Sequence, residues 1–232
     1  MIFDMINQLT SMAKYTRPFR NLLRDQSGLA LIEFAYAMPL LMVLGFTGTE
    51  TANLIQTQQK VSQTVLASAD NAARVGTNTG LPGKVVYESD INDIFAGVPK
   101  QMEDEEFWSH SRIIMSSVEV NSDGDPFIAW QRCMGDKDFE STHGTMDTEP
   151  GEDELEGGVG EEGQKMLPLT GNALIYVELS TDYQPIFEQS IVGVKDFMNT
   201  ELTQKAAFMV RDLRQMGALD NRTGSDPVAS CS

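Results

Sequence analysis

The alternation of apolar and polar positions divides the chain first at Gly28 and again near Gly48. Leu29 to Gly48 reads LALIEFAYAMPLLMVLGFTG, a nearly unbroken apolar run in which Glu33 is the only charge and Pro39 the only strong helix breaker. A helix rises about 1.5 Å per residue and a hydrocarbon core is about 30 Å thick, so roughly 20 apolar residues cross it. The pattern therefore predicts a transmembrane helix over 29–48. Pro39 lacks an N–H and crowds the preceding turn, which predicts a kink or a locally opened turn there. Beyond Gly48 the pattern changes period. Leu54, Val61, Val65, Ala69 and Ala72 recur at three- and four-residue steps, with Gln58 assigned to the same stripe, opposite a face of Gln, Lys, Ser and Asn. This predicts an amphipathic continuation over 49–76, capped at Gly76. The alternative is two helices meeting near Gly48.

The remainder, 77–232, reads as a small α+β domain. TNTGLPGK (77–84) is a loop, and Ser89 is an N-cap candidate for a short helix to about Ala96, ended by Gly97, Val98 and Pro99. The acidic run MEDEEFW (102–108) is expected to be exposed. RIIMSSVEV (112–120) and FIAWQR (127–132) read as strands joined by the turn NSDGDP, which predicts a β-hairpin. Residues 136–165 hold the acidic, Gly-rich stretch DTEPGEDELEGGVGEEGQK and read as a flexible, solvated loop. NALIYVELS (172–180) is the strongest strand pattern, with Pro185 at an edge or bend beyond it. Ile191–Met198 fits a short helix or a covering loop. Residues 202–213 fit a strand with Ala206, Phe208 and Val210 on one face, although a helix also satisfies the spacing. Together these elements give an α+β fold: a long N-terminal helix packed on a small antiparallel β-sheet.

Charge gives the chain a direction. The net charge is −17, but residues 1–28 carry Lys14, Arg17, Arg20 and Arg24 against only Asp4 and Asp25, a net of +2 that leaves −19 for the rest. Basic residues beside a span stay on the cytoplasmic side, so the leader is expected inside and the acidic body outside. That body lacks the clustered Lys and Arg that replace counterions on nucleic acid, which argues against a nucleic-acid partner. The leader's apolar residues are too interrupted for a secretory signal, and no small-residue cleavage site follows them. The two cysteines, Cys133 and Cys231, both fall in the part expected outside. They suit either a disulfide, the favoured reading in an oxidising compartment, or two free thiols.

The stretch RDQSGLALIEFAYAMPLLMVLGF combines a basic leader, Gly28, four apolar residues, Glu33–Phe34 and then Pro39 within a leucine-rich run. It is similar to the processing region of pilins, and in its fuller form resembles the TadE-like pseudopilins, or minor pilins, of the tight-adherence (Tad, or Flp) pilus system. The close match covers about a tenth of the chain. The resemblance implies a pilin-like fold and cleavage of the Gly28–Leu29 bond by a prepilin peptidase, which removes 1–28 as a leader. It also implies a role for Glu33 and Phe34 in subunit assembly, and Pro39 as a helix kink. Implied partners are other pilins or pseudopilins, the Tad secretion machinery and the inner membrane of a bacterium. The implied location is single-pass, N-terminus cytoplasmic and C-terminal domain periplasmic, either kept in the membrane machinery or incorporated in an extracellular pilus serving attachment and biofilm formation.

A physical argument runs in parallel. A lone carboxylate in lipid is costly and a paired one tolerable. A new α-amine at Leu29 would be largely cationic near neutral pH and close enough to pair with Glu33 of its own or a neighbouring chain. The competing readings are an ordinary anchor with Glu33 near the headgroups, and an uncleaved, membrane-anchored periplasmic binding module. Catalysis is not expected. His110 and His143 fall in polar stretches without metal-ligand spacing, and no phosphate loop or nucleophile elbow is present, so neither cofactor nor metal is predicted. The Asn121–Asp125 cluster lacks the remaining oxygen ligands of a calcium loop and reads as a turn.

Overall fold

A computed structural model describes residues 27–80, 82–150, 155–187, 200–222 and 224–231. The elements in chain order are helix α1 (Ser27–Arg74), helix α2 (Glu88–Met102), a 3-10 turn (Phe107–Ser109), and strands β1 (Ser111–Val120), β2 (Pro126–Met134), β3 (Leu174–Asp182) and β4 (Glu201–Met209). The fold is α+β, with a long N-terminal helix and a four-stranded antiparallel sheet of order β2-β1-β3-β4. The chain divides into two compact units, Met1–Thr51 and Ala52–Ser232.

In the first unit α1 is one helix without a break, so the alternative of two helices meeting near Gly48 does not hold. It also continues through Pro39, so no turn opens there, although the Ala35 carbonyl loses the donor that proline lacks. The helix contains a segment of mean hydropathy 2.0 that is long and apolar enough to cross a membrane, and none of that segment is buried.

In the second unit, residues 52–74 of α1 and all of α2 cover one face of the sheet. Val61, Val65, Ala69, Ala72 and Ala73 of α1 join Ile91, Phe95, Val98 and Met102 of α2 over Ile113, Met115, Trp130, Ile175, Val177 and Leu179. Small alanines let the helix backbone come close to the strands, and close packing is what makes dispersion and burial add up. The predicted stripe holds except at Gln58, which is exposed, while the neighbouring Thr57 is half-buried.

Two expectations around α2 are corrected. The helix starts at Glu88 rather than after Ser89, because the Asp90 carboxylate accepts the Tyr87 N–H at 3.0 Å and fixes the first turn one residue earlier. It also runs past Gly97, Val98 and Pro99 to Met102. Burial of Val98 and Met102 holds the last turn, which ends with Glu103 in the left-handed region at φ 58°. The following acidic run is exposed only in part, since Phe107 is fully buried beneath it.

The β1–β2 hairpin forms as expected. Asn121 Oδ1 accepts the N–H groups of Asp123 and Asp125 at 2.9 and 2.8 Å, and Gly124 supplies φ +96°. Residues 202–213 resolve as a strand over Glu201–Met209, with Leu202, Ala206 and Val210 buried on one face. Residues 191–198 lie outside the described part of the chain.

The solvated loop expected over 136–165 needs correction where it is described. Leu155 and Val159 are fully buried and, with Val118, Ile128, Leu174 and Tyr176, form a second core on the sheet face opposite the helices. Two apolar side chains spaced by four thus bring part of an acidic stretch onto the sheet. Gly158, at φ +101°, brings the backbone so near the Met166 carbonyl that any Cβ would collide with it.

Candidate functional site

The residues expected to be processed and assembled lie at the start of α1. Gly28 has open space around it, and Leu29, Glu33 and Phe34 are all exposed on the helix surface. Glu33 sits four residues, roughly one turn or 6 Å of rise, beyond Leu29. Helical side chains lean toward the N-terminus, so a carboxylate at this offset is directed back toward the backbone nitrogen of Leu29. From Leu29 to Phe46 every large apolar side chain but the half-buried Met38 is at least 39 % exposed, a surface that lipid or other helices would have to cover.

At the polar end of this run three threonines satisfy themselves. Thr47 Oγ1 donates to the Val43 carbonyl, Thr49 to Gly45 at 2.9 Å and Thr51 to Thr47 at 2.8 Å. Hydroxyls bonded back to the preceding turn can enter an apolar layer at reduced cost. Between them Glu50 is only 1 % exposed, a buried carboxylate that the apolar pattern did not single out.

Among the described residues of the second unit, three buried polar centres stand out. At the first turn of α2, Glu88 forms a buried ion pair with Arg132 of β2, with Arg132 Nε donating to Oε2 at 2.8 Å and Nη2 to Oε1. Removing one partner of such a pair strands a buried charge.

At the end of α1, Arg214 Nη2 donates to the Ala72 and Val75 carbonyls at 2.7 and 2.9 Å, capping the negative end of the helix. Burial pushes this guanidinium down to about 10, opposed by Asp212, Glu119 and Asp90. Glu119, buried on β1, accepts the Gly217 N–H at 3.0 and 3.2 Å; burial raises its pKa above the usual carboxylate range, against the pull of Gly217 and Arg214. A cavity of about 200 Å³ adjoins these groups, lined by Val86, Trp130, Met216 and Leu219 among others.

The third centre lies on the outer sheet face. Glu178 of β3 is fully buried and accepts Ser141 Oγ at 2.6 Å, Thr142 Oγ1 at 2.6 Å and the Thr142 N–H at 3.2 Å. Burial, then the charge of Glu178, raises the Tyr176 phenol above its ordinary range.

Cys133 and Cys231 form a disulfide between residues 98 apart in sequence. It closes a strap in which Cys133 N–H bonds to Ala229 O at 2.9 Å, Asn92 Nδ2 to Pro227 O at 2.7 Å and Arg112 Nη2 to Cys231 O at 3.1 Å. The Arg222 guanidinium lies 4.4 Å over the Tyr87 ring.

The two histidines lie in loops, as expected, but both are shielded from solvent. His110 is partly buried, 3.3 Å from Asp104 and edge-on to Phe107. His143 is 7 % exposed beneath residues 155–166. The sequence offered no periodic signal for either. Among the described residues, no group of three or more His, Cys, Asp or Glu is placed to hold a metal ion. The structure thus places the candidate processing and assembly residues together at the start of α1, whereas the disulfide belongs to the second unit. No protein-family model matches the chain, and neither a curated protein nor a solved structure shows significant similarity to it.

Proposed function

We propose that this chain is a TadE-like minor pilin or pseudopilin of a tight-adherence pilus, anchored by α1 in a bacterial inner membrane with its acidic domain on the periplasmic side. A prepilin peptidase cuts between Gly28 and Leu29. The new amine pairs with Glu33, and the apolar surface from Leu29 to Phe46 packs against other pilin helices during assembly of an adhesive pilus that supports attachment. The observation that carries this reading is the position of Glu33. It is five residues after a glycine that closes a basic leader, on an exposed apolar stretch of α1, a helix unbroken from Ser27 to Arg74. No catalytic role is assigned to the domain.

The test is N-terminal mass spectrometry of the protein purified from its own host. The expected mature chain begins at Leu29, and a Gly28→Ala variant accumulates as the long form. A wild-type chain still beginning at Met1 would overturn the proposal and leave an uncleaved, membrane-anchored envelope module.

A further inference from the structure

One buried imidazole is bonded to the stretch that covers the outer face of the sheet. His143 Nε2 accepts the Gly160 N–H at 3.0 Å, and its ring stands edge-to-face on Tyr176 with centroids 5.0 Å apart. Accepting a backbone N–H requires a lone pair on Nε2, so the proton of the neutral ring is on Nδ1. The bond joins two parts of the same cover. Val159 and Met166 exchange backbone hydrogen bonds at 3.0 and 2.8 Å around Gly160, while Leu155 and Val159 close the second core. Next to His143 in the chain, the Gly144 carbonyl accepts Gln131 Nε2 of β2 at 3.1 Å.

We propose that His143 is an acid-sensitive latch: its protonation releases the described stretch 155–166 and uncovers Val118, Ile128, Leu174 and Tyr176. An imidazolium has two donors and no acceptor, so the charged ring faces the Gly160 N–H with like polarity and the bond is lost. Among the described residues Tyr176 of β3 packs edge-on against the ring, Glu178 and Glu161 act on the Tyr176 phenol from β3 and the covering stretch, and Lys205 of β4 holds Glu161 at 3.2 Å. Charging the ring therefore leaves the Gly160 N–H without its acceptor. The latch is independent of the pilin reading, because it uses only residues of the second unit.

The experiment is amide hydrogen exchange of the full chain in detergent, expressed as protection factors at pH 7.5 and pH 5.0. Protection of Gly160 and its neighbours in 155–166 is expected to fall by about tenfold or more in acid, the order expected for one buried hydrogen bond, while β1 and β3 stay protected. His143→Gln supplies an acceptor near the same place without a titratable ring. It should keep 155–166 protected at both pH values, whereas His143→Leu should leave it unprotected at both. Wild-type protection that persists at pH 5.0 overturns the proposal. So does a pH step retained in His143→Gln, which would move the sensor to Glu178 or Glu161. As a check that does not depend on either variant folding, the Gly160 amide proton shift in the wild type should titrate together with the His143 ring; a shift that does not move also overturns it.

Discussion

Replacing Cys133 and Cys231 together by serine tests how the acidic domain is held. The bond closes a loop of 98 residues. In the chain-entropy account, closing a loop of that size removes about 4.7 kcal/mol of freedom from the unfolded chain. That figure is an upper bound, since a compact unfolded ensemble has less freedom to lose, and removal of native disulfides typically costs about 2–5 kcal/mol. The folded side changes little. The strap keeps its bonds from Cys133 N–H to Ala229 O and from Asn92 Nδ2 to Pro227 O, and Arg222 remains over Tyr87.

The expected variant is therefore native in structure and markedly less stable. The two tryptophans, Trp108 and Trp130, both lie in the second unit, so fluorescence reports that unit alone during urea unfolding in detergent. With a slope of about 2 kcal/mol/M, the midpoint should fall by roughly 1–2 M. Near-UV circular dichroism in the absence of urea should be unchanged, and treating the wild type with a reductant should reproduce the shift. A midpoint shift below about 0.3 M with an unchanged slope would refute the argument, because the strap would then be held by its folded-state contacts rather than by the cross-link.

Two further outcomes are expected. Leu155→Ala should lose about 2–5 kcal/mol in the same assay despite lying within the acidic stretch, because its side chain is fully buried in the second core. Glu119 has its folded-state pKa raised by burial, so its contribution to stability is present below the unfolded value and lost as pH rises through the folded one. Relative to wild type, Glu119→Gln should therefore gain stability as pH is raised from about 4 to 8, measured by thermal melts across that range; a parallel pair of curves would show that Glu119 does not titrate differently in the folded state.

The long helix, the hairpin and the third strand were legible because each carries a period or a local turn signal. Val61, Val65, Ala69 and Ala72 mark a helical face, and the reversal between β1 and β2 is made locally by Asn121 and Gly124 without help from the rest of the fold. Helix α2 departs from its pattern at both ends. Asp90 outcompetes Ser89 as the source of the first-turn bond, and buried Val98 and Met102 carry the helix past a glycine and a proline that ordinarily stop one. The second core was hidden because Leu155 and Val159 are two apolar residues in a stretch whose composition argues for solvation. Their partners, Val118, Ile128, Leu174 and Tyr176, come from three strands, and only the assembled sheet brings them together. At the candidate processing site the spacing of Gly28 and Glu33 could be read directly. The Arg214 cap could not, since it depends on long-range folding that brings residue 214 to the end of α1.

Strand β1 is bonded on both sides, to β2 across a five-residue reversal and to β3 only after the long 135–173 connection. Closing the longer excursion costs roughly 2 kcal/mol more in chain entropy, so the two pairings should not form together. A nascent chain that emerges N-terminus first would hold the β1–β2 ribbon with one row of amides and carbonyls still open, waiting for Leu174–Asp182 to arrive. During that interval the ribbon is a template for any other extended segment, and the time spent before β3 docks would set how much of the newly made protein is lost to mispaired aggregates.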